Sequence, residues 1–355
     1  MSVACGSQYS LFLGEEGDVW SIGSNTYGNL GKGDTKDTNL PEKILFLPQV
    51  KMISAGQVHS LFLGFDGFVW SCGWNEFGQL GLNHQITTSK PEKIESISEI
   101  ISITAVYNHS FFIDKNYNVL GCGWNHFGQL GIADADSILL PTPIPNLPQV
   151  SVATGGYYHS IFIDLEGSVW GSGSNYKFQL GSLKCGINRK VRKLNDIPKE
   201  VVTASGGEYH SIFLDVEGQV WVCGDNRSHQ LGLPGANNAY AKLPFALSGL
   251  PPIQAVEAGG SYCMLLDTAG TVWYLGNHHP SSISPLENMP FIQKISAGHG
   301  HCYAIDIEDN IHGFRRTNKQ GPNTSAFISH KIDLPVKLKS HSYGKKSTKS
   351  ARNVL

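Results

Sequence analysis

The sequence has no apolar run that approaches the length of a transmembrane helix, although 41% of its 355 residues are hydrophobic. Strand-like residues begin at positions 1–4, so we expect no cleaved signal peptide. Cysteine is sparse, at seven residues, and no Cys-x-x-Cys pair occurs, which argues against a disulfide framework and a structural zinc site. No glycine-rich loop carries a Walker lysine. We therefore expect an intracellular protein, nuclear or cytoplasmic, with no metal and no cofactor.

The most regular feature present is a repeat built around a histidine that precedes a serine. The slot occurs seven times, with tyrosine in two copies: Tyr9, His59, His109, His159, His210, Tyr262 and His301. The steps between these positions are 50, 50, 50, 51, 52 and 39 residues. A period of this size with strand-like content is typical of radial or solenoidal repeats, because each unit buries its apolar face against its neighbours.

Each copy has the pattern of β-hairpins. Residues 60–63 are β-prone, Asp66 and Gly67 form a turn, and residues 68–72 return as a second strand. A further strand lies near residues 51–55, and a fourth near residues 90–94 contains proline, which an edge strand tolerates. Four short strands in each of seven units predict an all-β fold, a seven-bladed β-propeller.

The chain ends suggest how this ring closes. The first copy begins at residues 1–4 without a preceding proline strand, and residues 334–338 supply such a strand with no copy after it. We therefore expect the N- and C-terminal strands to pair in one composite blade, which would remove the free sheet edge. The propeller is predicted to span residues 1–340.

Residues 341–355 are predicted to form a disordered basic tail. Six of the 27 basic residues lie after Val336 with no acid among them, while the rest of the chain carries 21 basic and 29 acidic residues. Serine, glycine and lysine dominate there, so little apolar area is available to offset the cost of ordering. The lysines Lys345, Lys346 and Lys349 are candidates for contact with an anion or a nucleic acid, the alternatives being a localisation signal and a solvated terminus.

The repeated histidines are interpreted as structural residues. A catalytic group is needed once, whereas this histidine recurs at a single position of the repeat. We expect its ring nitrogen to bond to the backbone and hold the inner turn of each blade. We expect no catalytic residues. Three cysteines likewise share one repeat position and are expected to be buried strand thiols: Cys72, Cys122 and Cys223.

Three motifs recur in a fixed order. In the second copy they are Gly-x-x-His-Ser at 56–60, hydrophobic-Trp-x-x-Gly-x-Asn at 69–75 and Gly-Gln-Leu-Gly at 78–81. Together they resemble the repeat of the regulator of chromosome condensation family, over roughly residues 3–340. The resemblance implies a seven-bladed propeller. It also implies a range of functions: guanine-nucleotide exchange on a small nuclear GTPase, chromatin docking, ubiquitin-ligase accessory roles and ultraviolet sensing. Function must therefore be argued from sites.

Residues that depart from the repeat indicate a partner-binding surface. Trp74 and Trp124 stand where other copies have Ser24, Ser174 and Asp225, so the position tolerates polar residues. Three further side chains lie close in sequence: Phe77, Phe127 and His126. Exposed tryptophans with aromatic neighbours are typical of interface hot spots. The alternative is that both indoles fold down over neighbouring loops.

Copy four carries a second departure, a basic segment. Its five cations are Lys184, Arg189, Lys190, Arg192 and Lys193. The equivalent loops of copies one and three carry Asp34, Asp37, Asp134 and Asp136 instead. The segment is a candidate for contact with phosphate, a nucleic acid or an acidic partner, the alternative being a solvated loop.

Two functional classes follow from these features. The first is a propeller that binds a protein partner, such as a Ran-like small GTPase, as a scaffold or an exchange factor. The second is a propeller that binds histones or DNA through the basic loop and tail. The resemblance implies that exchange uses a wedge hairpin from an elongated loop, for which these copies leave little room beyond residues 182–197. The family's basic N-terminal tail is absent here. We expect no membrane partner and no small-molecule substrate.

Overall fold

A computed structural model describes residues 1–132, 135–198, 200–233, 239–276, 283–316, 327–332 and 334. These residues contain 28 β-strands in seven four-stranded antiparallel sheets and no helix. Within the same part of the chain, no helix is long and apolar enough to cross a membrane. The predicted all-β, seven-bladed propeller is confirmed.

The strands follow one another in chain order within each blade. Blade 1 contains β1 (Ser2–Cys5), β2 (Tyr9–Leu13), β3 (Val19–Gly23) and β4 (Thr38–Lys43), and blade 2 contains β5 (Val50–Ala55), β6 (His59–Gly64), β7 (Val69–Gly73) and β8 (Thr88–Lys93). Blade 3 contains β9 (Ile100–Ala105), β10 (His109–Asp114), β11 (Val119–Trp124) and β12 (Ser137–Pro143), and blade 4 contains β13 (Val150–Gly155), β14 (His159–Asp164), β15 (Val169–Ser174) and β16 (Ile187–Lys193).

The remaining three blades repeat the pattern. Blade 5 contains β17 (Val201–Gly206), β18 (His210–Asp215), β19 (Val220–Asp225) and β20 (Tyr240–Ala246). Blade 6 contains β21 (Ile253–Ala258), β22 (Tyr262–Asp267), β23 (Val272–Gly276) and β24 (Ile283–Pro285). Blade 7 contains β25 (Ile292–Ala297), β26 (His301–Asp306), β27 (Ile311–Arg316) and β28 (Phe327–Ile332).

The core lies between neighbouring blades and is centred on the second strand of each. All six residues of β6 are buried, whereas in β8 at the outer edge Pro91 alone is buried. A phenylalanine at one position of the second strand has no measurable exposure in five blades: Phe12, Phe62, Phe112, Phe162 and Phe213. Burial on both faces explains why these strands are largely apolar while the outer strands carry charge.

The predicted composite blade is wrong for the described strands. β1 pairs with β2 in blade 1, and β28 pairs with β27 in blade 7, so every blade is built from consecutive strands. Blades 7 and 1 meet through side chains, with the rings of Phe12 and Tyr303 edge to face at 5.5 Å. Residues 335–338, the expected closing strand, lie outside the described residues. So do Lys345, Lys346 and Lys349, and the domain boundary at residue 340 stays a prediction.

The repeated histidines join each blade to the next. His59 Nε2 lies 2.9 Å from Ser110 Oγ, and the same contact links His109 to Ser160 at 3.0 Å. His159 reaches Ser211 Oγ at 2.8 Å. The structural assignment therefore agrees with the geometry, but the expected partner was wrong: the ring nitrogen meets a side-chain hydroxyl of the next blade and not the backbone of its own inner turn.

Two sets of connections share one face of the ring. The turns between first and second strands, such as residues 56–58, open on the same side as the long loops between third and fourth strands, such as residues 74–87. We call this side the loop face. Glycine is required where the inner turns meet, because a Cβ on Gly156 would lie 1.9 Å from the Gly207 carbonyl oxygen.

Candidate protein-binding face

The long loops of the loop face are held by buried amide side chains. In blade 2, Asn75 Oδ1 accepts from the Leu80 amide at 3.0 Å, and Asn75 Nδ2 donates to the His84 carbonyl at 2.8 Å. Gln79 Oε1 accepts from the Phe77 amide at 3.0 Å. These bonds satisfy backbone groups that no strand would satisfy, so the loop presents Trp74 and Phe77 in a fixed arrangement. Blade 3 repeats the arrangement with Asn125 and Gln129.

Aromatic rings pack in a continuous row across this face. Ring centroids are 5.8 Å apart for Tyr27 and Trp74, 5.3 Å for Trp74 and Phe77, and 5.4 Å for Phe77 and Trp124. The row continues from Trp124 to Phe127 at 5.4 Å, to Tyr158 at 5.2 Å and to Tyr209 at 5.3 Å. It therefore spans blades 1 to 5. We call these residues the aromatic belt: Tyr27, Trp74, Phe77, Trp124, Phe127, Tyr158 and Tyr209.

The belt keeps part of each ring accessible. Tyr27 is 41% exposed and the other six members are half-buried. Within the described residues, neither Trp74 nor Trp124 has a hydrogen bond from its indole nitrogen, whereas Trp170, Trp221 and Trp273 donate at 2.9 Å to Asp164, Asp215 and Asp267. Buried indoles normally find such a partner. The two belt tryptophans thus combine apolar area with a free donor, the combination that interfaces favour.

The predicted partner-binding residues come together in this belt. Trp74, Phe77, Trp124 and Phe127 lie side by side, and the exposed His126 is stacked 6.4 Å from Trp124. His126 Nδ1 also lies 3.4 Å from an Asp136 carboxylate oxygen. Each tryptophan ring packs on an aromatic ring of the preceding loop, Trp74 on Tyr27 and Trp124 on Phe77, and stays half-buried. That a partner binds here stays a prediction.

Sequence reasoning missed three members of the belt. Tyr27 occupies the same repeat position as Phe77 and Phe127, a signal that was available. Tyr158 and Tyr209 lie on inner turns, directly before the repeated histidine, and join the belt only because those turns open beside the loops of blade 3. Burial, with a hydrogen bond to Tyr158 and nearby carboxylates, raises the pKa of Tyr209, so its hydroxyl stays neutral.

The basic segment of copy four is a strand and not a loop, which corrects the prediction. Arg189, Lys190, Arg192 and Lys193 lie on β16, the outer strand of blade 4, and only Lys184 lies in the loop before it. Arg189 donates to the His126 carbonyl at 3.1 Å and approaches Asp136 at 3.8 Å, so it joins β16 to the loop of blade 3. Lys190 and Arg192 are exposed, with no ion pair in the described part of the chain.

The described residues hold no cluster of three or more histidine, cysteine or acidic side chains that could bind a metal ion. Six of the seven cysteines are buried, and none forms a disulfide. Burial raises the pKa of the Cys72, Cys122 and Cys223 thiols, which keeps them in the unreactive thiol form.

Comparison with known families agrees with this architecture. The model of the RCC1-like domain matches residues 1–202. Two models of the regulator of chromosome condensation repeat match residues 217–266 and 201–230. The chain belongs to the RCC1-like propeller family, as its motifs predicted.

Individual relatives match only parts of the chain. It is 32% identical over 145 residues to a probable E3 ubiquitin-protein ligase HERC6 of Homo sapiens, a match that covers 36% of this chain and 14% of that protein. It is 28% identical over 140 residues to an RCC1-like G exchanging factor-like protein of Mus musculus, covering 35% and 30%. The matches thus span less than a third of either relative.

The fold also resembles that of Prp20p from Saccharomyces cerevisiae, whose reported binding partners are Gsp1p and histones. The TM-score is 0.76 at 20% identity, over 92% of this chain and 88% of that one. At this identity the similarity establishes the fold alone.

Proposed function

We propose that this chain is an interaction propeller that binds a folded protein through the aromatic belt, with a Ran-type small GTPase as the candidate partner. The observation that carries the proposal is the pair of half-buried tryptophans with unpaired indole nitrogens, set among further aromatic rings on fixed loops. Such rings bury large areas at little entropic cost, which makes them effective anchors. The small GTPase is suggested by the likeness to Prp20p and its reported binding of Gsp1p.

Within this proposal the chain acts as a scaffold and not as a wedge-type exchange factor. All 28 described strands belong to the seven blades, and residues 182–197 contain the ordinary outer strand β16. No described segment is left to form an additional hairpin. We therefore expect the propeller to bind a GTPase without accelerating the release of its nucleotide.

The test is binding of a purified Ran-type GTPase to the intact chain and to Trp74→Ala and Trp124→Ala variants. Each substitution should weaken binding by about 2 kcal/mol, roughly 30-fold in Kd. Because the rings are half-buried, the loss of unfolding free energy should stay below the about 3 to 5 kcal/mol of a fully buried aromatic. Surface plasmon resonance gives the affinity and urea unfolding the stability.

Phe65→Ala is the matched control, since Phe65 is 63% exposed in the turn between β6 and β7, on the face opposite the belt. It should leave binding unchanged. If the tryptophan variants lose much of their unfolding free energy while the molecules that remain folded bind the GTPase with unchanged affinity, the belt is not an interface. Faster release of a fluorescent GDP from the GTPase with saturating propeller than without it would contradict the scaffold role.

A second candidate function, binding of DNA, is favoured by one observation, the exposed cations Lys190 and Arg192 on β16, which form no ion pair within the described residues. Binding to duplex DNA should then fall steeply with salt, because each phosphate contact releases condensed counterions. The double variant Lys190→Glu with Arg192→Glu should abolish it and leave GTPase binding intact. DNA affinity that does not respond to salt or to this variant would exclude the candidate.

A further inference from the structure

Glu257 is the one residue with a side-chain carboxyl group among the described residues that line the central channel of the ring. The first strand of every blade lines the channel, and the position two residues before the inner-turn glycine faces inward. In six blades this position holds a small residue, and in blade 6 it holds glutamate: Ala4, Ser54, Thr104, Thr154, Ser205, Glu257 and Ser296. The fold therefore does not require an acid there, since serine occupies the equivalent position in both neighbouring blades.

The mouth of the channel on the loop face carries aromatic and acidic groups. Tyr107 and Tyr157 stack there with ring centroids 3.7 Å apart, and the Tyr157 hydroxyl is hydrogen-bonded to His299 Nδ1. Backbone bonds between neighbouring blades fix the rim, such as the Glu208 amide to the Gly260 carbonyl at 3.1 Å. Glu208, half-buried at the rim of blade 5, places a second carboxyl group one blade away from Glu257.

Glu257 has no hydrogen bond or ion pair to any part of the chain that the structure describes. Its neighbour Ser205 uses its hydroxyl oxygen to accept from the Ala258 amide at 3.0 Å. Lys294, on the adjacent strand β25, donates its ammonium to the Met1 carbonyl at 2.7 Å. Desolvation raises the pKa of Glu257 to about 8. Burying an unpaired carboxyl group costs stability, and no hydrogen bond or ion pair within the described chain offsets that cost.

We propose that the channel mouth binds a primary ammonium or guanidinium group, with Glu257 as its counter-ion and the stacked pair of Tyr107 and Tyr157 beside it. The cavity has a volume of about 320 Å³, within the range of small-ligand sites. A carboxylate gives a cation charge-assisted hydrogen bonds, serine and threonine hydroxyls accept hydrogen bonds from its remaining N–H groups, and the face of an aromatic ring attracts it through its quadrupole. An organic cation is the kind of ligand that a carboxylate, hydroxyl groups and an aromatic ring together would recognise.

The test is calorimetric titration of the intact chain at pH 8.5 with two blocked tripeptides, acetyl-Gly-Arg-Gly-amide and acetyl-Gly-Gln-Gly-amide. The arginine peptide should bind and the glutamine peptide should not. Glu257→Gln should weaken the arginine peptide at least tenfold. Glu257→Ser, which introduces the residue of the adjacent blades, should weaken binding equally without lowering the melting temperature. Glu217→Gln, an exposed turn residue on the opposite face, is the control of equal charge and should have no effect.

Two arms separate the sources of the cation. Ethylguanidinium and butylammonium represent free small amines, and the tripeptide represents a side chain carried by a protein. Tight binding of the small cations points to a free amine, and binding of the tripeptide alone points to a protein-borne side chain. Equal binding of arginine and glutamine peptides, unchanged affinity in Glu257→Gln, or no binding of any cation at millimolar concentration would overturn the proposal.

The pH dependence provides a second readout. Below pH 8 the Glu257 carboxyl is largely protonated, so a cation must displace a proton, and affinity should rise by up to tenfold per pH unit between pH 6.5 and 8. Burial raises the pKa of Tyr107, Tyr157 and Cys5, which remain neutral over this range. Glu208 and His299 also face the mouth. Glu208→Gln should therefore keep most of the slope, whereas Glu257→Gln should remove it. A slope that survives in Glu257→Gln would contradict the assignment.

Discussion

At the scale of single residues, hydrogen bonding determines the protonation of the repeated histidines. Ser110 Oγ donates to the Gln79 carbonyl at 2.8 Å, so it must accept from His59 Nε2. Nε2 therefore carries a proton, and Nδ1 has no partner among the described residues. Burial lowers the pKa of His59, His109 and His159 to about 3 and that of His210 to about 4. Each histidine is thus a neutral bridge between two blades.

These lowered pKa values predict acid sensitivity. The unfolded chain binds protons at its histidines near pH 6.5 and the native chain does not, so this contribution to stability is complete above pH 6.5 and is lost as the pH falls toward 4. The slope should be about 1.4 kcal/mol per pH unit for each histidine. Urea unfolding between pH 4.5 and 7.5 measures it.

His159→Ala should lower the unfolding free energy at pH 7.5 by about 1 to 3 kcal/mol, because Ser211 loses its partner. Between the native and unfolded pKa values of this histidine, the variant should also take up one proton fewer on unfolding. His126→Ala, an exposed histidine outside this network, should change neither quantity. An unchanged pH slope in His159→Ala would mean that His159 is already protonated in the native state.

At the scale of elements, β16 differs from the outer strands of blades 1 to 3 in how its edge is protected. Pro41, Pro91 and Pro141 interrupt the outer strands of blades 1 to 3, and Val191 holds the equivalent position in β16. Proline removes a donor that another strand would use. β16 carries four exposed cations instead, Arg189, Lys190, Arg192 and Lys193, and charge is the other common protection of a free edge.

Lys190→Thr with Arg192→Thr should therefore produce a stable propeller that self-associates, because the edge keeps its backbone groups and loses its repulsion. Light scattering after gel filtration should show oligomers that increase with concentration. The charge-reversed pair Lys190→Glu with Arg192→Glu should remain monomeric. A monomeric threonine variant at high concentration would show that these cations do not protect the edge.

The sequence predicted strands better than it predicted their partners. The 50-residue register placed the hairpins of six blades, and departures from it located Trp74 and Trp124. The pattern predicted a loop at β16 because this strand lacks the proline that marks the outer strands of blades 1 to 3. β28 lacks that proline too, so the pattern predicted the last strand at residues 334–338 instead. The residues around Tyr158, Tyr209 and Glu257 come from other blades. A local sequence pattern does not show which residues of different blades lie close together.

At the scale of the whole molecule, ring closure depends on the contact between blades 7 and 1. Its buried side chains come from both blades, including Phe12 and Trp20 from one and Tyr303 and Ile332 from the other. Ser10 Oγ lies 2.9 Å from His301 Nε2, and the His299 amide donates to the Gly6 carbonyl at 3.4 Å. The histidine bond and the bond between inner turns at this junction are of the same kinds as those at the other junctions.

Deletion from residue 327 onward should therefore destabilise the protein or make it aggregate, because it removes β28 and the buried Ile332. Deletion from residue 341 onward should leave the melting temperature unchanged if the predicted boundary is correct. Differential scanning fluorimetry compares the two. A normal melting temperature without β28 would mean that blade 7 folds with three strands.

Each sheet is confined to one blade, and among the described residues the chain itself does not connect blade 7 to blade 1. Every other described junction is bridged by the covalent chain, so separating blades 1 and 7 is the local opening that disturbs the backbone least. Cys5 is buried in the side-chain cluster at this junction. Its thiol becomes accessible when blades 1 and 7 separate, so the rate at which a thiol reagent modifies Cys5 measures how often the ring opens.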